Sequence, residues 1–216
     1  MKRVALYFGS FNPLHYGHLG IAEYIILNFC INRFEMVLSP HNPFKNKNIL
    51  LHPQTRLASL KKAIRLFNKD LSAKIKERNS LLTSSAMHNS LRLYQPAKNS
   101  KVWKRSALIE SRIPCNKITL NDIEFNLPEP LYTYNTIKEL QQGNPDTEYI
   151  LVVGADSIKS MPNWYRGEEI LKEFSVIVYP RSGYRVKTLC RKYKATYLSE
   201  APLNNISSTQ IRNGQV

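Results

Sequence analysis

The chain has 216 residues, 43% of them hydrophobic and 10% aromatic, and its 31 Lys and Arg against 16 Asp and Glu give a formal net charge of +15. This length suits one α/β domain with a good core, which we expect to span 1–216 with one insertion, and no apolar run reaches the roughly 18 residues of a membrane span. Cys30, Cys115 and Cys190 lack metal or disulfide spacing, and the apolar run after Met1 is too short for a secretory signal, so we expect a cytoplasmic protein.

The first predicted strand, Val4 to Phe8, leads directly into a loop that ends at a helix. Gly9 and Pro13 break the strand, and from Gly17 onward apolar residues recur at three- and four-residue spacing. A helix N-terminus offers unpaired N–H groups and a partial positive charge, and glycines beside it let a phosphate approach the backbone. The pattern therefore predicts a phosphate site.

Two histidines, His15 and His18, stand three residues apart at the start of this helix and can face one point in front of the loop. Two imidazoles there could donate hydrogen bonds to a phosphate as it gains charge. The alternative is that one histidine caps the helix and the other fills space under the loop. Because the loop lacks both the Walker A ending and the three-glycine dinucleotide pattern, it is a different kind of phosphate loop.

The second predicted strand, Glu35 to Ser39, ends in a proline-bracketed loop that carries His41 and Lys45. Ligands of open parallel sheets bind beyond the carboxyl ends of the strands, so both side chains could reach the same crevice. A plain surface loop remains the alternative. Pro53 then begins a helix with Arg56 in its first turn, where a cation opposes the helix dipole; its partner is either a bound anion or solvent.

The excess of positive charge belongs to one segment of the chain. Residues 61–117 hold 14 Lys and Arg against 3 Asp and Glu. Within them, 78–117 are rich in Ser, Asn and Lys without a sustained period, which indicates a mobile, solvated insertion. The functional alternative is a basic flap over an anionic substrate or RNA, with Tyr94 and Trp103 as stacking groups.

Beyond the insertion, the alternation over 118–125 predicts a strand, and Thr133 is a natural N-cap for the next helix. A buried strand over 149–153 follows, and its polar turn contains Asp156 as an N-cap or as a ligand for a ribose hydroxyl or a magnesium-bound phosphate. Trp164, in an aromatic corner, either packs in the core or stacks on a flat heterocycle. A further strand is predicted over 175–179.

Three hydroxyl residues in a row, Ser207, Ser208 and Thr209, open the last predicted helix, and Arg212 lies one turn from Ser208 on the same face. This is a second phosphate-binding helix start. Strands and helices alternate along the whole chain, which predicts a parallel sheet with right-handed crossovers.

The motifs GSFNPLHYGH, SPHNPFK, VVGADS, PNWY, YPRSGY and ISSTQIR, in this order, resemble those of the bacterial nicotinate-nucleotide adenylyltransferases of the HxGH nucleotidyltransferase superfamily. The resemblance covers most of the chain outside 78–117. It implies a Rossmann-like doubly wound sheet and the transfer of the adenylyl group of ATP, with Mg²⁺, to nicotinate mononucleotide by direct in-line attack. The products would be deamido-NAD and pyrophosphate.

The resemblance also assigns site residues. His15, His18 and Arg212 would be catalytic, and the ATP would be bound by Gly9, Ser10, Phe11, Asn12, Ser207, Ser208 and Thr209. The mononucleotide would be bound by Lys45, Tyr132, Thr133, Asp156 and Trp164. No protein-held metal is implied. Leu131 stands where this family usually has a serine.

Two other functions compete with this interpretation. The first is another HxGH adenylyl- or cytidylyltransferase with a different phosphorylated acceptor. The second is a non-enzymatic RNA-binding protein that uses the basic 61–117 segment, although we expect neither nucleic acid nor a membrane as a partner. The chain ends four residues after Arg212, where relatives continue, so we expect a short last helix or one supported by another subunit of a homo-oligomer.

Overall fold

The structure is a computed structural model that describes residues 1–41, 50–83, 115–203, 206 and 208–214. Most of the predicted insertion, together with Lys45 and Ser207, lies outside the described residues. Among the helices that are described, none combines the length and the apolar character that crossing a membrane would require.

The described elements alternate between strands and helices along the chain. The strands are β1 Lys2–Gly9, β2 Arg33–Leu38, β3 Ile118–Asn121, β4 Thr147–Gly154, β5 Ser175–Tyr179 and β6 Thr196–Tyr197. The helices are α1 Tyr16–Asn28, α2 Pro53–Thr83, α3 Thr133–Gly143, α4 Ala155–Ser160, α5 Gly167–Glu173, α6 Lys187–Lys192 and α7 Ser208–Arg212. Short 3₁₀ helices cover Ile123–Phe125 and Met161–Asn163.

The described strands form one parallel sheet in the order β3-β2-β1-β4-β5-β6. The chain moves outward from β1 to β3 on one side and then returns to add β4, β5 and β6 on the other. This is the strand order of a doubly wound Rossmann-type sheet, with its switch point between β1 and β4. The predicted fold class is confirmed.

Side chains of each strand alternate between two apolar cores, one on each face of the sheet. On β1, Ala5 and Tyr7 belong to the core covered by α1 and α2, whereas Val4 and Leu6 belong to the core covered by α3 to α6. Burial on both faces explains why β1 and β4 appear in the sequence as nearly continuous apolar runs.

Three predictions about element boundaries were wrong. The strand predicted over 118–125 ends at Asn121, and its apolar pattern continues through a 3₁₀ helix. Residues 78–83, assigned to the insertion, are the last turns of α2. Thr133 is the first residue of α3 rather than its N-cap, which is Tyr132.

Arg56, predicted to face either an anion or solvent, is instead buried against the backbone. It is 2% exposed. Its guanidinium donates to the carbonyl oxygens of Ser10 and Ser39 at 2.9 Å each, to that of Pro40 at 2.6 Å and to that of Leu51 at 2.9 Å. One side chain from α2 therefore satisfies carbonyls at the ends of both β1 and β2.

Replacement of Arg56 should test how far the strand ends depend on it. We expect Arg56→Ala to lower the free energy of unfolding by about 3–5 kcal/mol, because several buried carbonyls lose a charged donor at once. Arg65→Ala, at an exposed position of the same helix, should change it by less than about 0.5 kcal/mol. Urea denaturation of the two variants measures the difference, and equal effects would contradict this role.

Candidate active site

A cleft of about 300 Å³ opens at the carboxyl ends of β1 and β4. Its floor and sides come from the ends of these two strands, from the first residues of α3 and from the aromatic corner after α4. Neighbouring strands whose connections leave in opposite directions create such a crevice, and ligands of open parallel sheets bind there. The cleft therefore lies where the fold favours a ligand.

The loop after β1 folds back tightly over the end of its own strand. Phe11 is 4% exposed and has a backbone φ of 43°. Its ring lies so close to Gly9 that a Cβ there would stand 2.9 Å from two ring carbons. Gly9 is thus required by the close approach of Phe11, and the folded-back loop brings the following residues to the edge of the cleft.

His15 and His18 begin α1 with a reciprocal capping arrangement. His15 is the N-cap, and its Nδ1 accepts from the backbone N–H of Gly17 at 3.1 Å. Nδ1 of His18 accepts from the backbone N–H of His15 at 3.4 Å. The two ring centroids are 3.8 Å apart.

This arrangement fixes the tautomer that each ring has in its neutral form. A nitrogen that accepts a hydrogen bond carries no hydrogen, so in each neutral imidazole the hydrogen is on Nε2. Burial, with a smaller contribution from the nearby charge of Arg181, lowers the pKa of His15 to about 4. At neutral pH, His15 is therefore an uncharged ring with one N–H donor at Nε2.

Helix α7 is tied to the loop that precedes α1. The hydroxyl of Ser208 donates to the carbonyl of Pro13 at 3.0 Å, and the guanidinium of Arg212 donates to the carbonyl of Asn12. Arg212 also donates to the hydroxyl of Thr209 at 3.0 Å. The second predicted phosphate motif thus lies beside the first, although the two are nearly 200 residues apart in the chain.

An ion pair lies across the end of β4. Nε of Arg181, in the loop after β5, is 3.0 Å from Oδ1 of Asp156. A Cβ on Gly154 would stand 2.3 Å from that oxygen and 2.8 Å from Nε, so glycine leaves the room for the pair. Asp156 is therefore not the N-cap of α4, which is Gly154; it is the partner of a cation in the cleft, and its contact with a ligand stays a prediction.

Aromatic side chains from the start of α3 and the corner after α4 form one wall of the cleft. The rings of Tyr132 and Tyr165 stack at 4.4 Å between centroids with an interplanar angle of 16°. Trp164 lines the cleft beside them, half-buried. The corner is held closely, because a Cβ on Gly167 would stand 1.8 Å from the carbonyl oxygen of Met161. This wall suits a flat ring.

The structure brings most of the predicted site residues together. The cleft is lined by Gly9, Ser10, Phe11, His18, Tyr132, Thr133, Asp156, Trp164 and Ser208, and His15 lies next to it in a small recess shared with His18 and Arg181. Three of the other predicted residues, Asn12, Thr209 and Arg212, do not line the cleft. They hold α7 against the first loop, and Asn12 also accepts from the N–H of Leu51.

Arg181 and Tyr165 line the cleft without having been assigned a role in advance. A signal for Arg181 was present in the sequence, since it follows a predicted strand in the same way that Lys45 follows β2. Tyr165 adjoins the predicted tryptophan, but nothing in the sequence indicated its stacking on Tyr132. Among the described residues, no group of three or more His, Cys, Asp or Glu could hold a metal ion.

The state of His15 can be measured directly by NMR of the imidazole nitrogens. We expect His15 to remain neutral, with its hydrogen on Nε2, from pH 8 down to about pH 5, because its pKa is lowered to about 4. Between pH 6.5 and 4 an unfolded chain would bind a proton here that the native protein does not, so the free energy of unfolding should fall as the pH decreases through this range. His15→Ala assigns the resonance, and titration near pH 6.5 would contradict the burial argument.

Comparison with known proteins agrees with this geometry at the level of family. Residues 6–214 match the sequence profile of the cytidylyltransferase-like family. The chain is 30% identical over 212 residues to a probable nicotinate-nucleotide adenylyltransferase of Flavobacterium johnsoniae, covering 98% of this chain and 85% of that protein. It is 31% identical over 207 residues to one of Porphyromonas gingivalis, covering 96% and 81%.

The fold and the paired histidines at the cleft define a nucleotidyltransferase of the cytidylyltransferase-like class. The chain belongs to that family and, within it, to the nicotinate-nucleotide adenylyltransferases. Its fold is also similar to that of Plasmodium falciparum nicotinic acid mononucleotide adenylyltransferase, solved in complex with NaAD, with a TM-score of 0.63 and 19% identity over 99% of this chain and 83% of that one.

Proposed function

We infer that the protein transfers the adenylyl group of ATP to nicotinate mononucleotide and so makes deamido-NAD and pyrophosphate for NAD biosynthesis. The observation that carries this inference is the capping pair His15 and His18 beside the cleft at the β1/β4 switch point, in a chain of this family. One oxygen of the mononucleotide phosphate attacks the α-phosphorus of ATP. A phosphorus–oxygen bond forms on that side as the bond to pyrophosphate breaks on the other.

The chain supplies positioning and charge stabilisation for this step. The N–H groups at Nε2 of the two histidines donate to phosphate oxygens as negative charge develops on them, and they need no proton transfer to do so. We assign Ser207, Ser208, Thr209 and Arg212 to the remaining triphosphate contacts. No covalent enzyme intermediate is required.

The acceptor occupies the aromatic side of the cleft. Trp164 stacks on the pyridine ring, and the backbone N–H of Thr133, together with the hydroxyl groups of Tyr132 and Thr133, donates to its carboxylate. Arg181, paired with Asp156, is a cation in the cleft for the mononucleotide phosphate. We assign Lys45, from its place in the sequence after β2, to the same mononucleotide. Leu131 is 8% exposed and contributes an apolar edge to this wall.

The ATP enters as its magnesium complex, because the described part of the site offers cationic and neutral donors rather than a group of three or more possible metal ligands. This donor set fits a metal carried by the triphosphate. We also propose a cytoplasmic location, which agrees with Cys30, Cys115 and Cys190 being present as thiols rather than in disulfides. Assembly into a homo-oligomer stays a prediction.

The role of the histidines is testable by single substitution. We expect His18→Ala to lower kcat by about 10²–10³, the scale of losing one preorganised donor to the transition state, while ATP still binds. His52→Ala replaces an exposed histidine outside the cleft and should leave turnover unchanged. Turnover of a folded His18→Ala protein near that of the unsubstituted enzyme would remove His18 from the mechanism.

The proposed substrates are tested by pyrophosphate release from ATP and magnesium with a panel of acceptors. We expect kcat/KM for nicotinate mononucleotide to exceed that for the amide by at least about tenfold, because the amide leaves a buried donor unpaired and loses charge assistance. An equal or reversed ratio would mean that the site does not recognise the carboxylate. Turnover with another phosphorylated acceptor alone, or salt-dependent RNA binding without ATP turnover, would replace the proposed function.

A further inference from the structure

A buried carboxyl group lies behind the acceptor side of the cleft, in a position that the proposed reaction does not use. Glu124, in the 3₁₀ helix after β3, is 2% exposed. Its Oε1 is 2.8 Å from the hydroxyl of Thr136 in α3, and the hydroxyl of Ser39 at the end of β2 also contacts the carboxyl. Within the part of the chain that the structure describes, its Oε2 has no hydrogen-bond partner.

We propose that Glu124 is a positioning residue for the acceptor, holding the start of α3, Tyr132 and Thr133, at a fixed distance from the end of β2. Both segments line the cleft, Ser39 from the end of β2 and Tyr132 and Thr133 from the start of α3. The proposal rests on the proposed function, because it concerns how the pyridine nucleotide is held.

The single hydrogen on the Thr136 hydroxyl determines how Glu124 is connected to Tyr132. The hydroxyl of Thr136 lies 2.8 Å from Glu124 Oε1 and 3.3 Å from the carbonyl oxygen of Tyr132, but it has one hydrogen to give. If the carboxyl group is neutral, it donates to Thr136, whose own hydrogen is then available to Tyr132. Burial is the main cause that raises the pKa of Glu124, which favours this neutral form.

Ser39, at the β2 end of this connection, is held by two backbone hydrogen bonds. Ser39 donates its backbone N–H to the carbonyl of Gly9 at 3.0 Å, and its own carbonyl accepts from Arg56. Because Ser39 is held in this way, a movement of the start of α3 would have to break the contact between Glu124 and Ser39. At the outer rim, His41 and Glu129 form a second link between the same two segments at 2.7 Å, but both side chains are largely exposed and the link is correspondingly weaker.

The chain offers a matched control in Glu35. This residue is also a buried glutamate, 6% exposed, and it binds Arg33 at 2.8 Å and Asn121 at 2.7 Å. It lies within β2 and does not line the cleft. Substitutions at Glu35 thus report what the loss of a buried carboxyl group costs at a position that does not line the cleft and makes no contact with α3 in the printed hydrogen bonds of its side chain.

Steady-state kinetics with each substrate varied in turn test the proposal. We expect Glu124→Ala to raise KM for nicotinate mononucleotide about tenfold, the scale of one hydrogen bond, and to leave KM for ATP within about twofold. Thr136→Val should act in the same way. Glu124→Gln, which keeps a donor and an acceptor in place of the neutral acid, should stay within about threefold of the unsubstituted enzyme, and Glu35→Gln should change neither KM.

Hydrogen exchange of the free protein gives a second readout that needs no substrate. Exchange of the backbone amides of 132–136 should accelerate by at least about tenfold in Glu124→Ala and in Thr136→Val, but not in Glu35→Gln. If the unsubstituted protein does not turn over nicotinate mononucleotide, the proposed function fails and exchange alone decides the role of Glu124. Unchanged exchange, or equal increases in both KM values, would overturn the proposal; should Glu124→Ala not fold, Thr136→Val decides it.

Discussion

The cleft depends on a cation that no ligand reaches. Where β1 and β2 end, the ladder of hydrogen bonds stops and carbonyl oxygens are left close together, a costly arrangement in the interior unless a donor satisfies them. Arg56 supplies that donor from α2 and binds the carbonyls of Ser10, Ser39 and Pro40 together. Its planar fork of N–H groups suits several acceptors at once, which a lysine could not match. Because this charge is used on the backbone, positive charge for a phosphate has to come from other loops, such as the one that carries Arg181.

From Arg56 a line of polar contacts continues beneath the cleft. It passes through Ser39 to Glu124 and on to Thr136, whose hydroxyl lies next to the carbonyl of Tyr132. The end of β1 and the start of α3 are thereby held at a set separation, although they come from distant parts of the sequence. In a reaction that proceeds by direct attack between two bound phosphates, a fixed separation is a large part of what a protein can contribute.

The sequence predicted the elements whose apolar pattern is long or sharply ended. Strands β1, β2, β4 and β5 were found as buried runs bounded by Gly or Pro, and α1 and α2 by their three- and four-residue spacing. Helix α6 and the two-residue strand β6 were too short to show a period. The strand predicted after the insertion is too long, because Ile123 and Phe125 continue an alternation that a 3₁₀ helix can also bury.

The contacts of Arg56 and Glu124 could not be predicted from the sequence, since their partners are backbone carbonyls and hydroxyl groups from other elements. The two phosphate motifs were found because each is a local feature of a helix start, and their tie through Ser208 and Pro13 appears only in three dimensions.

The capping of α1 by imidazoles gives each ring two simultaneous uses on opposite edges. Serine, aspartate and asparagine are the common residues for starting a helix, and they would satisfy the same backbone N–H groups. Aspartate has no donor on its far side, serine has only the hydroxyl that caps the helix, and the amide N–H of asparagine lies closer to the backbone than the Nε2 edge of histidine. Replacement of either histidine by a better capping residue would therefore stabilise α1 and at the same time remove the Nε2 donor from the site. At positions 15 and 18 the helix requires an acceptor for a backbone N–H, and the site requires a donor. A five-membered ring with nitrogens on both edges provides both.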